Sequence, residues 1–337
     1  MTDDPFHAER IAADRAALGD RIVATPTVEL RQERLAKHLP QDARVWLKLE
    51  HLQQAGSFKA RGVLLAIDAL SAEQRSAGVT AVSAGNHALA VSWGARSAGL
   101  SAKVVMPRTA DPVRVAGCEA LGARVVLADD VGAAFAEADR LVAQEGRTML
   151  HPFESQHMVA GAATVGDELA AHVQGALSQT GGKLDVAVVP VGGGGLLAGM
   201  AGAIRARFPD CEVIGVEPFG ADSMHRSFEA GAPVRLDRVN TVADSLGAPM
   251  ALPGTFTLAR QNVARIVRLE DETMRAMMGL LFDALKIAAE PACAASLAAV
   301  CGPLREELAG KRVAAIACGS NISLQRFTAL ATFERSA

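Results

Sequence analysis

The sequence predicts an α/β protein in which parallel sheets are flanked by helices, and three observations predict it. Short β-branched runs recur at 44–49, 79–83, 103–106, 124–127, 185–190, 212–216, 264–269 and 312–317. Between them lie longer stretches such as 131–145 and 273–288, with apolar residues at three- and four-residue spacing and charges in between. Strands of this kind alternating with amphipathic helices build parallel sheets covered by helices. The chain is also long enough, at 337 residues, for two domains or one large α/β unit with a sizeable core.

Composition narrows the function classes. Half of the residues are apolar and 21% are charged, the balance of a globular protein that folds by itself. With 34 Lys and Arg against 37 Asp and Glu, the formal charge of −3 offers no footprint for nucleic acid or an anionic membrane. Small-molecule chemistry is the expectation. The five cysteines, Cys118, Cys211, Cys293, Cys301 and Cys318, form no C-x-x-C pair, so they read as free thiols in a reducing compartment. No basic leader opens the chain and no apolar run is long enough to span a membrane, so a cytoplasmic location is expected. The stretch 230–260, rich in Gly, Pro and isolated polar residues, is the least regular and is expected to wrap over a surface.

The strongest local signal is Gly192-Gly193-Gly194-Gly195-Leu196, which follows the run 185–190 and opens a helical pattern. Consecutive glycines remove every Cβ from the turn, and the helix start adds unpaired N–H groups and its dipole, so a phosphate is the natural guest. The same residues admit a rival. Gly193-x-Gly195-x-x-Ala198 matches the dinucleotide fingerprint, with Glu217 placed where a ribose-binding acid belongs. On this motif alone a nicotinamide-dependent dehydrogenase stays open, as does a tight turn that needs glycine only for packing.

Lys59 follows a Gly56-Ser57 turn and begins a helical run, with Phe58 beside it as an aromatic wall. A lysine that must react with a carbonyl needs a fixed position and a lowered pKa. Ser83-Ala84-Gly85-Asn86-His87 ends another strand and starts a helix, a turn able to present N–H groups to a substrate carboxylate, or else an ordinary N-cap. Cys318-Gly319-Ser320-Asn321 closes the last strand.

Taken in order, Gly56-Ser57-Phe58-Lys59-x-Arg61-Gly62, Ser83-Ala84-Gly85-Asn86, the glycine loop, Glu290-Pro291-Ala292-Cys293 and Cys318-Gly319-Ser320-Asn321 resemble the fold type II pyridoxal phosphate enzymes. Within them the chain resembles the serine/threonine dehydratases over about residues 25 to 325. The resemblance implies a two-domain, tryptophan synthase β-like fold. Its large domain would be residues 1–70 plus 156–337 and its small domain 71–155, with the cofactor between them. It also implies that pyridoxal 5'-phosphate is carried on Lys59 and bound by Phe58, Asn86, Gly192, Gly193, Gly194, Gly195, Leu196 and Cys318. Ser83, Ala84, Gly85, Asn86 and His87 would hold an amino-acid substrate, and the molecule would be a homodimer. On this reading the glycine loop serves one phosphomonoester rather than a dinucleotide.

Three positions separate branches of the family. Racemases carry a serine where this chain has Ala84, and a methyl group has no proton to give to the second face of a carbanion. Cys318 is not a strong anion, so a pyridine nitrogen beside it stays largely neutral and elimination is favoured over transamination. The loop Glu217-Pro218-Phe219-Gly220-Ala221-Asp222-Ser223 looks like the family's cation site. One carboxylate, the Ser223 hydroxyl and carbonyls of Gly192, Ala221, Leu246 and Ala248 suit a monovalent ion such as potassium, with Asp222 near enough in sequence to swing in.

These choices look most like the serine dehydratases of the mammalian liver type, except that His87 stands where those carry a small residue. The expected reaction is conversion of L-serine or L-threonine to the 2-oxo acid and ammonia, with Lys59 as both tether and base. 3-Hydroxyaspartate is an alternative substrate, and serine racemase an alternative activity. A non-catalytic cofactor carrier is the alternative of another class. With no room for a regulatory domain after Ala337, no feedback by isoleucine is expected.

Overall fold

The computed structural model describes residues 5–179 and 181–333. Ten strands form two sheets: β1 (Thr27–Glu29), β2 (Arg44–Lys48), β3 (Val79–Val82), β4 (Ala102–Pro107), β5 (Arg124–Ala128), β6 (Thr148–Met149), β7 (Val186–Pro190), β8 (Glu212–Pro218), β9 (Arg265–Leu269) and β10 (Arg312–Ile316). The large sheet runs β1-β2-β10-β7-β8-β9 and the small one β5-β4-β3-β6. Every pairing is parallel except β1 with β2. All eight expected runs are strands. The two additions, β1 and β6, have three and two residues and are too short to show a period.

The central strands read as unbroken Val, Ile and Ala because helices cover both faces; β7 is buried at all five positions. Parallel strands send all their carboxyl ends to one edge, where an α/β protein gathers its ligand-binding loops. At that edge of the large sheet lie residues 49–58 after β2, 191–194 after β7, 219–222 after β8 and 317–321 after β10. The small sheet contributes 83–85 after β3.

One long helix, Gln156–Leu177, is the platform on which the two most telling motifs rest. The helix Lys59–Asp68 and the helix Gly195–Arg207 both pack against it. The approach of the first is backbone to backbone: a Cβ on Gly161 would stand 2.3 Å from the amide nitrogen of Gly62. The helix Lys59–Asp68 also sends Val63, Ala66 and Ile67 into the core of the small sheet, while Leu64 and Leu65 pack with Leu18 and with Ala160 of the long helix.

A quartet of charges, three buried and one partly buried, fixes the helix Lys59–Asp68. Arg61, fully buried, bonds Glu50 at 2.8 and 2.9 Å and Glu168 at 2.7 and 2.8 Å. Lys48 completes the set with bonds of 2.8 Å to Glu168 and 2.7 Å to the Thr25 carbonyl, and the Thr25 hydroxyl donates to Glu50. Two positive and two negative charges cancel, which makes burial tolerable.

The stretch 230–260 is irregular as expected, with one short turn, Asp244–Leu246, before the helix Pro253–Asn262. It does more than wrap a surface, because Ser245 and Leu246 line the cleft described next. No helix among the described residues is long and apolar enough to cross a membrane.

Candidate active site

A cleft at the strand edge is lined by Phe58, Lys59, Asn86, Gly192, Gly193, Gly194, Gly195, Leu196 and Cys318. The structure thus brings together all nine residues assigned to cofactor binding from sequence. Phe153, Pro190, Ser245, Leu246 and Ala292 complete the lining.

The entry to the Lys59 helix is stitched to the end of β10. Phe58 N–H donates to the Cys318 carbonyl at 3.2 Å, and Ser57 bridges Gly319. The Lys59 amine sits 5.1 Å from the Phe58 ring centroid and donates to the Pro152 carbonyl. Burial lowers its pKa from 10.5 to about 8, so a usable fraction is neutral near physiological pH. Cys318 is a neutral thiol for the same reason, held far above its ordinary range by burial, with Sγ 3.5 Å from the Ala292 carbonyl.

The glycine loop is an anion cradle. From Gly192 to Leu197 six consecutive main-chain N–H groups have no acceptor among the described residues, whereas the next, Ala198, donates to Gly194. Gly194 has φ +87°, a left-handed conformation that favours glycine, and a Cβ on Gly193 would stand 2.2 Å from the Phe153 ring. A phosphomonoester satisfies such a row at a helix start. A cofactor with a phosphate at one end and an aldehyde at the other therefore fits the cradle and Lys59 together.

Across the cleft, the N–H groups of Ala84, Asn86 and His87 are likewise without an acceptor among the described residues, while Gly85 N–H is taken by Ser83 Oγ at 3.1 Å. This loop can present donors to a carboxylate. Asn86 is held from both sides: its Nδ2 donates to Glu290 at 2.5 Å and its Oδ1 accepts from Asn321 at 2.7 Å.

His87 belongs to this turn through its main chain and not through its ring. The ring is buried, its Nε2 lies 2.7 Å from the Leu150 carbonyl, and burial, with Lys59 nearby, lowers its pKa to about 3. A carbonyl only accepts, so Nε2 carries the proton and the ring is neutral. What His87 offers a carboxylate is its main-chain N–H.

Glu217 and Ser223 are fully buried at the end of β8 and the start of the following helix. The Glu217 carboxylate accepts from the N–H groups of Met224 at 2.9 Å and His225 at 2.7 Å, and burial raises its pKa to about 8. Ser223 Oγ has no hydrogen-bond partner among the described residues. Gly192 and Leu246 lie side by side at the cleft, a Cβ on Gly192 being 3.2 Å from Leu246 Cα; Ala221 is buried nearby in sequence, and Ala248 N–H donates to the Leu246 carbonyl at 2.9 Å. Asp222, which the sequence puts near enough to swing in, is paired with Arg226 at 2.8 Å and Arg268 at 3.1 Å.

Sequence reasoning missed the segment joining β6 to the helix Gln156–Leu177. There the Leu150 carbonyl meets His87, the Pro152 carbonyl meets Lys59, and Phe153 packs on the glycine loop. Its His151-Pro152-Phe153 sequence was the available signal. Arg114 was missed as well, having no motif around it.

Comparison with known proteins agrees with this geometry. A family model described as pyridoxal-phosphate dependent enzyme matches residues 19–319. A phenylserine dehydratase of Ralstonia pickettii is 50% identical over 280 residues, 83% of each chain. An L-threo-3-hydroxyaspartate ammonia-lyase of Saccharomyces cerevisiae is 34% identical over 86% of each chain. Among solved structures, maize serine racemase has a TM-score of 0.85 at 30% identity, covering 95% of this chain and 94% of the other. A threonine deaminase from T.th. gives 0.84 at 34% identity, covering 94% and 99%. The chain belongs to the pyridoxal-phosphate dependent enzymes of fold type II, in their serine/threonine dehydratase-like group.

Proposed function

We propose that this dehydratase acts on a β-hydroxy amino acid with an aryl group on the β-carbon, phenylserine being the simplest, and releases the 2-oxo acid and ammonia. The observation that carries the reading is the 50% identity to a phenylserine dehydratase over 83% of each chain. The rings of Phe58 and Phe153 in the cleft lining support it. Serine and threonine, which share the reacting atoms, are the second reading, favoured by the likeness to threonine deaminase.

When bound, pyridoxal phosphate supplies the electron sink that makes the substrate Cα–H acidic. The chain does the rest. The Gly192 to Leu197 amides hold the phosphate, and the N–H groups of Ala84, Asn86 and His87 hold the substrate carboxylate. Lys59 tethers the cofactor and, neutral, takes the Cα proton. Loss of the β-hydroxyl removes one water and hydrolysis returns one, so the net products are a 2-oxo acid and ammonia.

Buried Glu217 and the unpartnered Ser223 hydroxyl support a monovalent cation site, completed by carbonyls of Gly192, Ala221, Leu246 and Ala248. The two sheets support the division into residues 1–70 plus 156–337 and 71–155. The same reading makes the molecule a cytoplasmic homodimer.

The test is a panel of phenylserine, serine, threonine and 3-hydroxyaspartate scored for ammonia and 2-oxo acid. Phenylserine should have the highest kcat/KM. A preference for serine or threonine by about tenfold or more, roughly 1.4 kcal/mol of discrimination, would replace the first reading with the second.

A further inference from the structure

Glu290-Pro291-Ala292-Cys293 stands out in the sequence, yet no step above uses its carboxylate. Glu290 is 1% exposed and opens the helix Pro291–Cys301. One oxygen accepts from Asn86 at 2.5 Å and the other from Arg114 at 3.2 Å. Arg114 belongs to the helix Pro112–Ala120 beside the small sheet and is 4% exposed. It forks onto Asp244 at 2.8 and 3.4 Å and donates from Nε to the Asn321 carbonyl at 2.9 Å. A weaker contact of 3.5 Å reaches the Ala84 carbonyl. One guanidinium thus joins the loops that carry Asn86, Ser245, Ala292 and Cys318, which are four walls of the cleft.

The chemistry of these contacts gives the arrangement a direction. Asn86 presents its amide nitrogen, a donor, to Glu290 and its oxygen to the donor Asn321. An ionised Glu290 only accepts, so it demands this orientation; a protonated one can donate and permits the reverse. A buried carboxylate next to Asp244 stays ionised only with a partner of opposite charge. We propose that Arg114 is the positioning residue that favours the ionised form of Glu290 and thereby fixes the Asn86 amide facing the cofactor cleft. The inference rests on the assignment of this cleft to pyridoxal phosphate.

The groups around Glu290 set the sign of its titration. Its pKa is raised to about 7, the balance of burial, which pushes it up, Arg114, which pulls it down, Asp244, which adds to the rise, and the hydrogen bonds from Asn86 and Ser245, which oppose it. Cys293 and Cys318, the remaining titratable neighbours, are neutral thiols raised by burial. Arg326 pairs with Asp244 at 3.1 Å from the far side. Without Arg114 the carboxyl takes a proton at neutral pH.

The experiment measures two quantities across pH for the wild type, Arg114→Met, Arg114→Lys, Glu290→Gln and the Arg114→Met/Glu290→Gln double variant. One is the affinity of the apoprotein for pyridoxal phosphate, followed by absorbance; the other is the acid limb of kcat/KM. Arg114→Met should bind the cofactor about tenfold more weakly near neutral pH and regain most of it about two units higher, with the acid limb moved up by about one unit. Arg114→Lys keeps the charge and should keep the limb. In the Glu290→Gln background, Arg114→Met should move nothing further. A uniform, pH-independent loss in Arg114→Met would overturn the proposal. Should that variant not fold, an acid limb unchanged by Glu290→Gln would overturn it instead. Failure of every β-hydroxy amino acid as substrate would sink the proposed function while leaving the affinity series readable.

Discussion

The amine of Lys59 donates to the main-chain carbonyl of Pro152, tying the reactive end of the cofactor-bearing helix to the segment that crosses from the small sheet to the large one. That contact encloses the amine, and enclosure is what lowers its pKa to about 8.

The first prediction follows from that value. Only the neutral amine attacks an aldehyde, so the rate at which apoprotein captures pyridoxal phosphate should rise with pH up to about 8 and then level off. Stopped-flow absorbance measures it. A rate still climbing towards pH 10, as for an unperturbed lysine at about 10.4, would show that the amine is not enclosed.

The charge quartet makes a stability prediction. Arg61→Met leaves buried Glu50 with Lys48, 3.9 Å away, as its remaining charged partner and should cost about 3–5 kcal/mol in urea unfolding. Replacing Glu50 by Gln in the same chain should recover part of the loss. A cost below about 1 kcal/mol would mean that the quartet is loose.

Ala84 predicts the fate of the carbanion. A methyl group cannot deliver a proton to the second face, so incubation with an L-β-hydroxy amino acid should give the 2-oxo acid without epimer at Cα. Chiral chromatography of the remaining substrate is the check. Racemisation at a rate near that of elimination would overturn this.

The cation prediction carries a sign that can be worked out. The folded pKa of Glu217, about 8, lies above its ordinary 4.5, so in the cation-free protein the folded state holds the extra proton and stability falls as pH rises through that window. A potassium or ammonium ion beside ionised Glu217 offsets this. The gain in Tm on adding potassium to dialysed, chelated enzyme should therefore be larger at about pH 8.5 than at about pH 5, with activity rising in parallel. Magnesium should not substitute, since Asp222 is paired with Arg226 and Arg268. Full rescue by magnesium alone would refute the site.

How much was legible in the sequence depended on distance along the chain. Lys59, the glycine loop and Cys318 were readable because each sits at a helix start or strand end beside glycines, where local chemistry announces itself. The eight longer strands were readable from their β-branched runs, whereas β1 and β6 were too short. Arg114 was invisible for a different reason. Its meaning lies in Asp244, Glu290 and Asn321, each more than a hundred residues away, and only the packed fold brings them within hydrogen-bond reach. The ring of His87 was illegible for the same reason, since the Leu150 carbonyl that holds it lies 63 residues away.

The central claim is that Lys59 carries the cofactor, and the most direct measurement is to reduce the holoprotein with borohydride, digest it and map the modification by mass spectrometry. Borohydride makes the linkage between lysine and aldehyde permanent, so the peptide containing Lys59 should bear one phosphopyridoxyl group, and Lys59→Ala should bear none. The same label on another lysine, or an unmodified Lys59 in protein that turns over substrate, would contradict the account.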